Sequence, residues 1–347
     1  MVFLDYASTC PIVKFSSQQY GGFHCNPNAA YAYAERKVLM DCEERIKAAI
    51  GVKSGHVLYF RCATEAIDWL VGDIGGRAHS PYEHDACTLG VGIAPEKVIA
   101  ADFYIHQWVN HITGEIFNLK TIRSQLPNAC KLIVDATAGF GKAKLPSGLD
   151  NIADALFMSG HKIGCPELSF MWLSDTLCEW LGAAKDIRNQ WGLHHGSLIV
   201  ASVMALTDAV EWACENGDRV NSHSLRLYVQ MDGMLDKARV EHHDVIEDVD
   251  VIEDVIEHQA YTTSINAIRL NGINADAIQQ FLASRGIYVG VGGSACSAAH
   301  DYRVLRAYGL TDGEASEVIR VSFGEETTSS DIKALVEGIK EYCRQFC

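Results

Sequence analysis

Apolar residues recur at three- and four-residue intervals from about Asn28 to Ile50, with Glu35, Arg36, Asp41 and Glu44 between them, so the spacing predicts a long amphipathic helix. After Ile50 the period changes. Short apolar runs at 56–60, 97–100, 131–134 and 155–158 are separated by intervals long enough for helices. Strands alternating with helices predict an α/β protein with a mainly parallel sheet, which binds ligands at the carboxyl ends of its strands. Ser197 to Asn216 reads as a second long helix that links two units. Beyond it, 264–270, 275–285 and 287–291 give a strand, a helix and a strand, and Ser329 to Gln345 a closing amphipathic helix. This is the pattern of a second, smaller α/β domain.

Composition narrows the classes. With 347 residues and 48% hydrophobic content, the chain can bury one large core and a smaller one. Its 44 acidic against 29 basic residues give a net charge of -15, which repels a phosphate backbone and argues against direct nucleic-acid binding. Twelve cysteines without a C-x-x-C pair suit a reduced, cytoplasmic compartment. The opening residues carry Asp5 and no basic run, and no stretch reaches the roughly 18 apolar residues of a membrane span. No spacing of histidine and cysteine supports a four-ligand metal site. The repeat Asp244-Val-Ile-Glu-Asp248, Asp250-Val-Ile-Glu-Asp254 reads as an acidic, solvated edge.

The candidate chemistry falls at strand ends. Ala63 and Thr64 follow the 56–60 run where a helix begins, an arrangement that holds an anion, although Thr64 before Glu65 also reads as an ordinary cap. Asp135 ends the next run but one; it could pair with the nitrogen of a cofactor ring or simply cap a turn. Ser159-Gly160-His161-Lys162 follows the 155–158 run. A lysine just past a buried strand can hold an aldehyde as a Schiff base, or can snorkel to the surface. His84 could stack on a cofactor ring and exchange protons, a catalytic role, or be structural, and Arg320 could hold a carboxylate in a bidentate pair or make a surface ion pair. Cys296, in Gly292-Gly293-Ser294-Ala295-Cys296, could accept an atom from a substrate. Lys162 and Cys296 together suggest sulfur transfer on pyridoxal phosphate.

These motifs carry a resemblance. In order, Leu4-Asp5-Tyr6-Ala7, Asn26-Pro27, Ala63-Thr64-Glu65, Glu83-His84, Val109-Asn110, Val134-Asp135-Ala136-Thr137, Ser159-Gly160-His161-Lys162, Gly196-Ser197, Gly293-Ser294-Ala295-Cys296, Val304 to Leu310 and Ile319-Arg320 resemble the cysteine desulfurases of the class V aminotransferase family, pyridoxal-phosphate enzymes of fold type I. The resemblance implies a large cofactor domain over 14–205, and a small domain from 1–13 and 206–347. It implies that Lys162 carries the Schiff base and moves the substrate α-proton, that Asp135 pairs with the pyridine nitrogen, and that His84 stacks on the ring. Ala63, Thr64, Ser159 and His161 would hold the phosphate, joined by Ser197 from the other protomer of a homodimer. Asn110 would contact the ring hydroxyl or substrate, and Arg320 the substrate carboxylate. Cys296 would take sulfur from L-cysteine as a persulfide, leave L-alanine, and deliver the sulfur to a protein acceptor for iron-sulfur cluster assembly or tRNA thiolation. Ala138 stands where a glutamine is usual, His195 where an arginine is usual and Ser197 where a threonine is usual, and the loop from Cys296 to Val304 is slightly short. The alternatives are a selenocysteine lyase or an aminotransferase of the same fold, or a catalytically silent scaffold of a sulfur pathway.

Overall fold

A computed structural model describes residues 1–22, 25–71, 77–88, 91–238, 240, 242–244, 261–292 and 301–346. After strand β1 (Val2–Leu4), the first long helix is α1 (Tyr33–Ile50), closed by Gly51 in the left-handed conformation. It starts later than the periodicity predicts. Asn26 to Ala29 folds into a turn through its own Asn26 side chain, and Arg36 donates to the carbonyls of Pro27 and Ala29. Next come β2 (His56–Phe60), α2 (Ala63–Val71), β3 (Arg77–His79), β4 (Val91–Gly92) and β5 (Phe103–Gln107). The strand expected at 97–100 does not form: Pro95 opens a single 3-10 turn there. The ladder is completed instead by β5, all five residues of which are buried.

The chain continues through α3 (Leu119–Gln125), β6 (Lys131–Asp135), β7 (Ala155–Ser159), β8 (Ser169–Leu173) and α4 (Asp175–Leu181). The long helix α5 spans Val200–Ala238. Asn216-Gly217 reads as a stop, yet the helix runs through it, because a Cβ on Gly217 would lie 2.7 Å from the carbonyl oxygen of Ala143. Glycine there costs about 1 kcal/mol of helix propensity and admits the neighbouring backbone. The last elements are β9 (His242–Asp244), β10 (Ile265–Leu270), α6 (Ala275–Ser284), β11 (Ile287–Val291), α7 (Arg303–Ala307), α8 (Asp312–Ala315), β12 (Val318–Ser322) and α9 (Ser329–Phe346).

Two compact units result, one of Ile12–Trp108 and Asn118–Gly217, the other of Met1–Pro11, Val109–Phe117 and Asp218–Cys347. The boundary lies at Gly217 rather than 205, and Val109–Phe117 goes with the second unit. Among the described residues, the first unit holds a seven-stranded sheet in the order β2-β8-β7-β6-β5-β3-β4. Its β4-to-β7 side is parallel and its β8 and β2 edge antiparallel. Strands β5, β7 and β8 are buried along their whole length, as expected where both faces are covered. Leu58, Phe60, Ile67, Phe103, Ile133, Phe157 and Met171 form part of one such core. The second unit has the order β1-β11-β12-β10-β9 among its described strands. Leu227, Met231 and Leu235 of α5 pack there against Ile278 and Leu282 of α6 and Leu335 and Ile339 of α9.

Candidate active site

Register brings the strand-end residues of the first unit to one edge. Phe60 of β2 and Ser159 of β7 both stand opposite Ser169 of β8, so β2 and β7 end level. One strand further, Asp135 stands opposite Phe157 and Gln107. The turns that follow β2, β6 and β7 therefore leave the sheet together. At the first of them Cys62 and Glu65, not Thr64, make the cap: the Glu65 amide donates to Cys62 Sγ, and the Glu65 carboxylate accepts from the Arg61 amide. The Thr64 hydroxyl is thus left exposed in the first turn of α2, beside Ala63. A helix start of this kind suits a phosphate.

Asp135 is buried, with its Oδ1 accepting from the Thr137 amide at 2.8 Å and its Oδ2 from the Cys87 thiol at 3.7 Å. Neither donor is charged, and among the described residues no lysine, arginine or histidine makes an ion pair with this carboxylate. A buried carboxylate is costly unless a cation pairs with it. The Thr137 hydroxyl beside it is also buried and has no hydrogen-bond partner among the described residues. His84 caps a 3-10 turn, its Nδ1 accepting from the Ala86 amide at 3.2 Å, so the neutral ring carries its proton on Nε2. Glu83 is fully buried and accepts from the Gln107 amide. Glu83, Cys87 and Thr137 were not assigned roles from sequence, since a lone cysteine or threonine in a loop carries no spacing signal.

Lys162 lies on a 3-10 turn, Gly160–Ile163, directly after β7. Gly160 is required by contact: a Cβ there would lie 2.2 Å from the carbonyl oxygen of Leu168 and 2.4 Å from that of Cys165. The Gly160 carbonyl closes the turn by accepting from the Cys165 amide at 2.9 Å. Burial, with help from Lys162 and Lys142, lowers the His161 pKa to about 4, so its imidazole is neutral near pH 7. Gly160→Ala is expected to destabilise the protein by about 1–3 kcal/mol, the scale of overpacking. The check is the midpoint of denaturant unfolding, and an unchanged midpoint would mean that the turn can yield.

Ser197 is exposed and follows an unusual run in which Asn189, Gln190 and Trp191 all have positive φ, at 51°, 50° and 61°. Three side-chain anchors hold this run. The Asn189 amide donates to Asn28, the Trp191 indole donates to Glu43 and stacks on His56 at 3.8 Å, and the Gln190 amide bonds the backbone of Tyr59 in both directions. His195 is exposed, and Ala138 is buried.

Asn110 and Arg320 belong to the second unit. Asn110 is buried and closes its own turn, its Oδ1 accepting from the Ile112 and Thr113 amides, while its Nδ2 has no partner among the described residues. Arg320, on β12, is fully buried rather than at the surface. Its guanidinium donates to Asp5 at 2.7 Å, to Ser8 Oγ at 2.8 Å and to the His111 carbonyl at 2.9 Å. Its Nε is left without a partner among the described residues, and a Cβ on Gly290 would come within 3.0 Å of it. Cys296 lies outside the described residues, and so does the acidic repeat beyond Asp244, its first residue, which ends β9.

The family described as Aminotransferase class-V matches residues 102–335, more than half the chain. The chain belongs to the class-V aminotransferase family. It is 22% identical to the NifS of Halalkalibacterium halodurans over 98% of each chain, and 25% identical to the cysteine desulfurase IscS of Mannheimia succiniciproducens over 98% of this chain and 92% of that one. Among solved structures it resembles a NifS-like protein with a TM-score of 0.81 and 18% identity, covering 99% of this chain and 100% of the other. The apo cysteine desulfurase of Thermococcus onnurineus NA1 gives a TM-score of 0.75 at 14% identity, covering 99% and 95%. The class-V aminotransferase thus has the fold type I architecture, and members of its family use pyridoxal phosphate. The residues fit that cofactor. Asp135 supplies the buried carboxylate that lacks a cation, and the start of α2 supplies an anion site. No helix among the described residues is long and apolar enough to cross a membrane.

Proposed function

We propose that this class-V aminotransferase is a pyridoxal-phosphate-dependent cysteine desulfurase, which converts L-cysteine to L-alanine and passes the sulfur to a protein acceptor. The observation that supports it is the meeting, at one sheet edge, of a buried carboxylate without a cation, Asp135, and the turn that carries Lys162. Pyridoxal phosphate, when bound, supplies an electron sink for the carbon that loses its proton. Asp135 would pair with the pyridine nitrogen, and His84 would lie against the ring. Lys162 would hold the cofactor aldehyde and move the substrate α-proton. Ala63, Thr64, Ser159 and the neutral His161 would bind the phosphate, with Ser197 contributed by the second copy of a homodimer. Asn110, with its unpaired Nδ2, would contact the ring hydroxyl or the substrate.

Cys296 and the relatives named as cysteine desulfurases select the substrate. In the proposed transfer, the Cys296 thiolate bonds to the substrate sulfur as the carbon–sulfur bond breaks, and its electron pair stays with the carbon that becomes the alanine methyl group. We place the enzyme in the cytoplasm, serving iron-sulfur cluster assembly or tRNA thiolation. We assign the larger part of cofactor binding to the unit of Ile12–Trp108 and Asn118–Gly217. The test is direct: purified protein loaded with cofactor and given cysteine should release alanine and, with a reductant, equal sulfide. Transamination without sulfide would point to an aminotransferase instead, and a protein that takes up no cofactor to a silent scaffold.

Arg320 is proposed to hold the substrate carboxylate, using the Nε donor that is unpaired among the described residues. Removing a charge-assisted hydrogen bond costs about 1.5–3 kcal/mol, or roughly 10- to 100-fold in binding. Arg320→Ala is therefore expected to raise KM for cysteine by that factor with the bound cofactor's colour retained. Because the same substitution strips Asp5 of its partner, the melting temperature is measured alongside. A fall in stability with KM unchanged would make Arg320 purely structural.

A further inference from the structure

The Cys87 thiol has no part in the reading above, yet it touches the carboxylate on which that reading depends. Cys87 closes the 3-10 turn that His84 caps, and its side chain is buried. Its Sγ, a carboxylate oxygen of Asp135 and one of Glu83 all lie within 4.8 Å of one another. Two buried carboxylates this close repel each other, and a proton donor set between them relieves the repulsion. Burial first, then the charges of Asp135 and Glu83, push the Cys87 thiol well above its ordinary pKa, so it stays S–H and can only donate. The Sγ to Asp135 Oδ2 distance of 3.7 Å is that of such a bond. The other oxygen of Asp135 is fixed by the Thr137 amide at 2.8 Å, so amide and thiol together set the direction of the carboxylate.

We propose that Cys87 is a positioning residue of this enzyme, its thiol holding the Asp135 carboxylate in the orientation that receives the pyridine nitrogen of the cofactor and buffering that carboxylate against Glu83. The inference rests on the assignment of Asp135 to the cofactor ring, and its test separates the two. Apoproteins of the wild type, Cys87→Ala, Cys87→Ser and Asp135→Asn are titrated with pyridoxal phosphate. Affinity is read from absorbance, together with the pH midpoint of the bound cofactor's visible band. Cys87→Ala is expected to weaken cofactor binding by about tenfold, the scale of one hydrogen bond to a charged group, and to move the pH midpoint. Cys87→Ser keeps a donor and should restore most of both, which a purely packing role would not allow.

If Asp135→Asn changes affinity and midpoint while Cys87→Ala changes neither, the role of Cys87 is refuted and that of Asp135 stands. If Asp135→Asn changes neither, the assignment of Asp135 fails, and the role of Cys87 fails with it. Should Cys87→Ala not fold, the infrared S–H stretch decides the matter, isolated as the difference between wild type and Cys87→Ser. A band that shifts on Asp135→Asn supports the bond, and one that does not move overturns it.

Discussion

Lys162→Ala is expected to abolish alanine formation from cysteine, with a loss of at least about 10²- to 10⁴-fold from proton transfer alone. The Gly160–Ile163 turn follows a fully buried strand and is locked by contacts that tolerate only glycine at its first position, so the lysine is presented by a rigid support. A second amine elsewhere cannot reproduce that presentation. Borohydride reduction of the wild type followed by peptide mapping should leave the pyridoxyl group on Lys162, and the alanine variant should carry none. A label on a different lysine would overturn the site.

Cys296→Ser is expected to keep the bound cofactor and its colour, yet to bring sulfide release down to the level of a protein-free control. A serine hydroxyl cannot supply the anion that a thiol supplies near neutral pH, so the step that accepts sulfur is lost while binding survives. The described structure reaches as far as Gly292, whose amide donates to the Val318 carbonyl at 2.7 Å and whose added Cβ would meet Val318 at 2.7 Å. That glycine pins the end of β11 against β12. Mass spectrometry of the wild type after cysteine should show one extra sulfur on the Cys296 peptide. A serine variant that releases sulfide at the wild-type rate would refute the transfer step.

Much of this arrangement was legible because it is local. Asp135 and Lys162 stand out where apolar runs end, and β6, β7 and their turns follow the spacing closely. The strand at 103–107 was missed because Val98 to Ala100 is as apolar as a strand, while a proline turn just before it decides the backbone. The length of α5 was missed because Gly217 answers to a packing contact with Ala143 that no local pattern encodes. Arg320 was legible as a residue on a strand. Its partner Asp5 was not, being 315 positions away in the chain. Cys87 gave no signal at all, since its proposed role depends on Asp135, which lies 48 positions away and which only the fold brings beside it.

The left-handed run at Asn189–Trp191 has a consequence for self-association. Each such residue costs of order 1 kcal/mol or more when it is not glycine, so the run persists only while its anchors hold. What the strain secures is the placement of the Gln190 amide on the Tyr59 peptide of β2, the outermost strand of the seven. An open strand margin is a template on which another molecule can add a strand. By occupying an outward peptide of that margin with a side chain, the run denies a foreign strand one of its first footholds. Glycines at 189–191 would relax the backbone and, by removing the amide of Gln190, uncover the peptide it shields. The strained turn therefore covers one outward peptide of β2 on the way to Ser197.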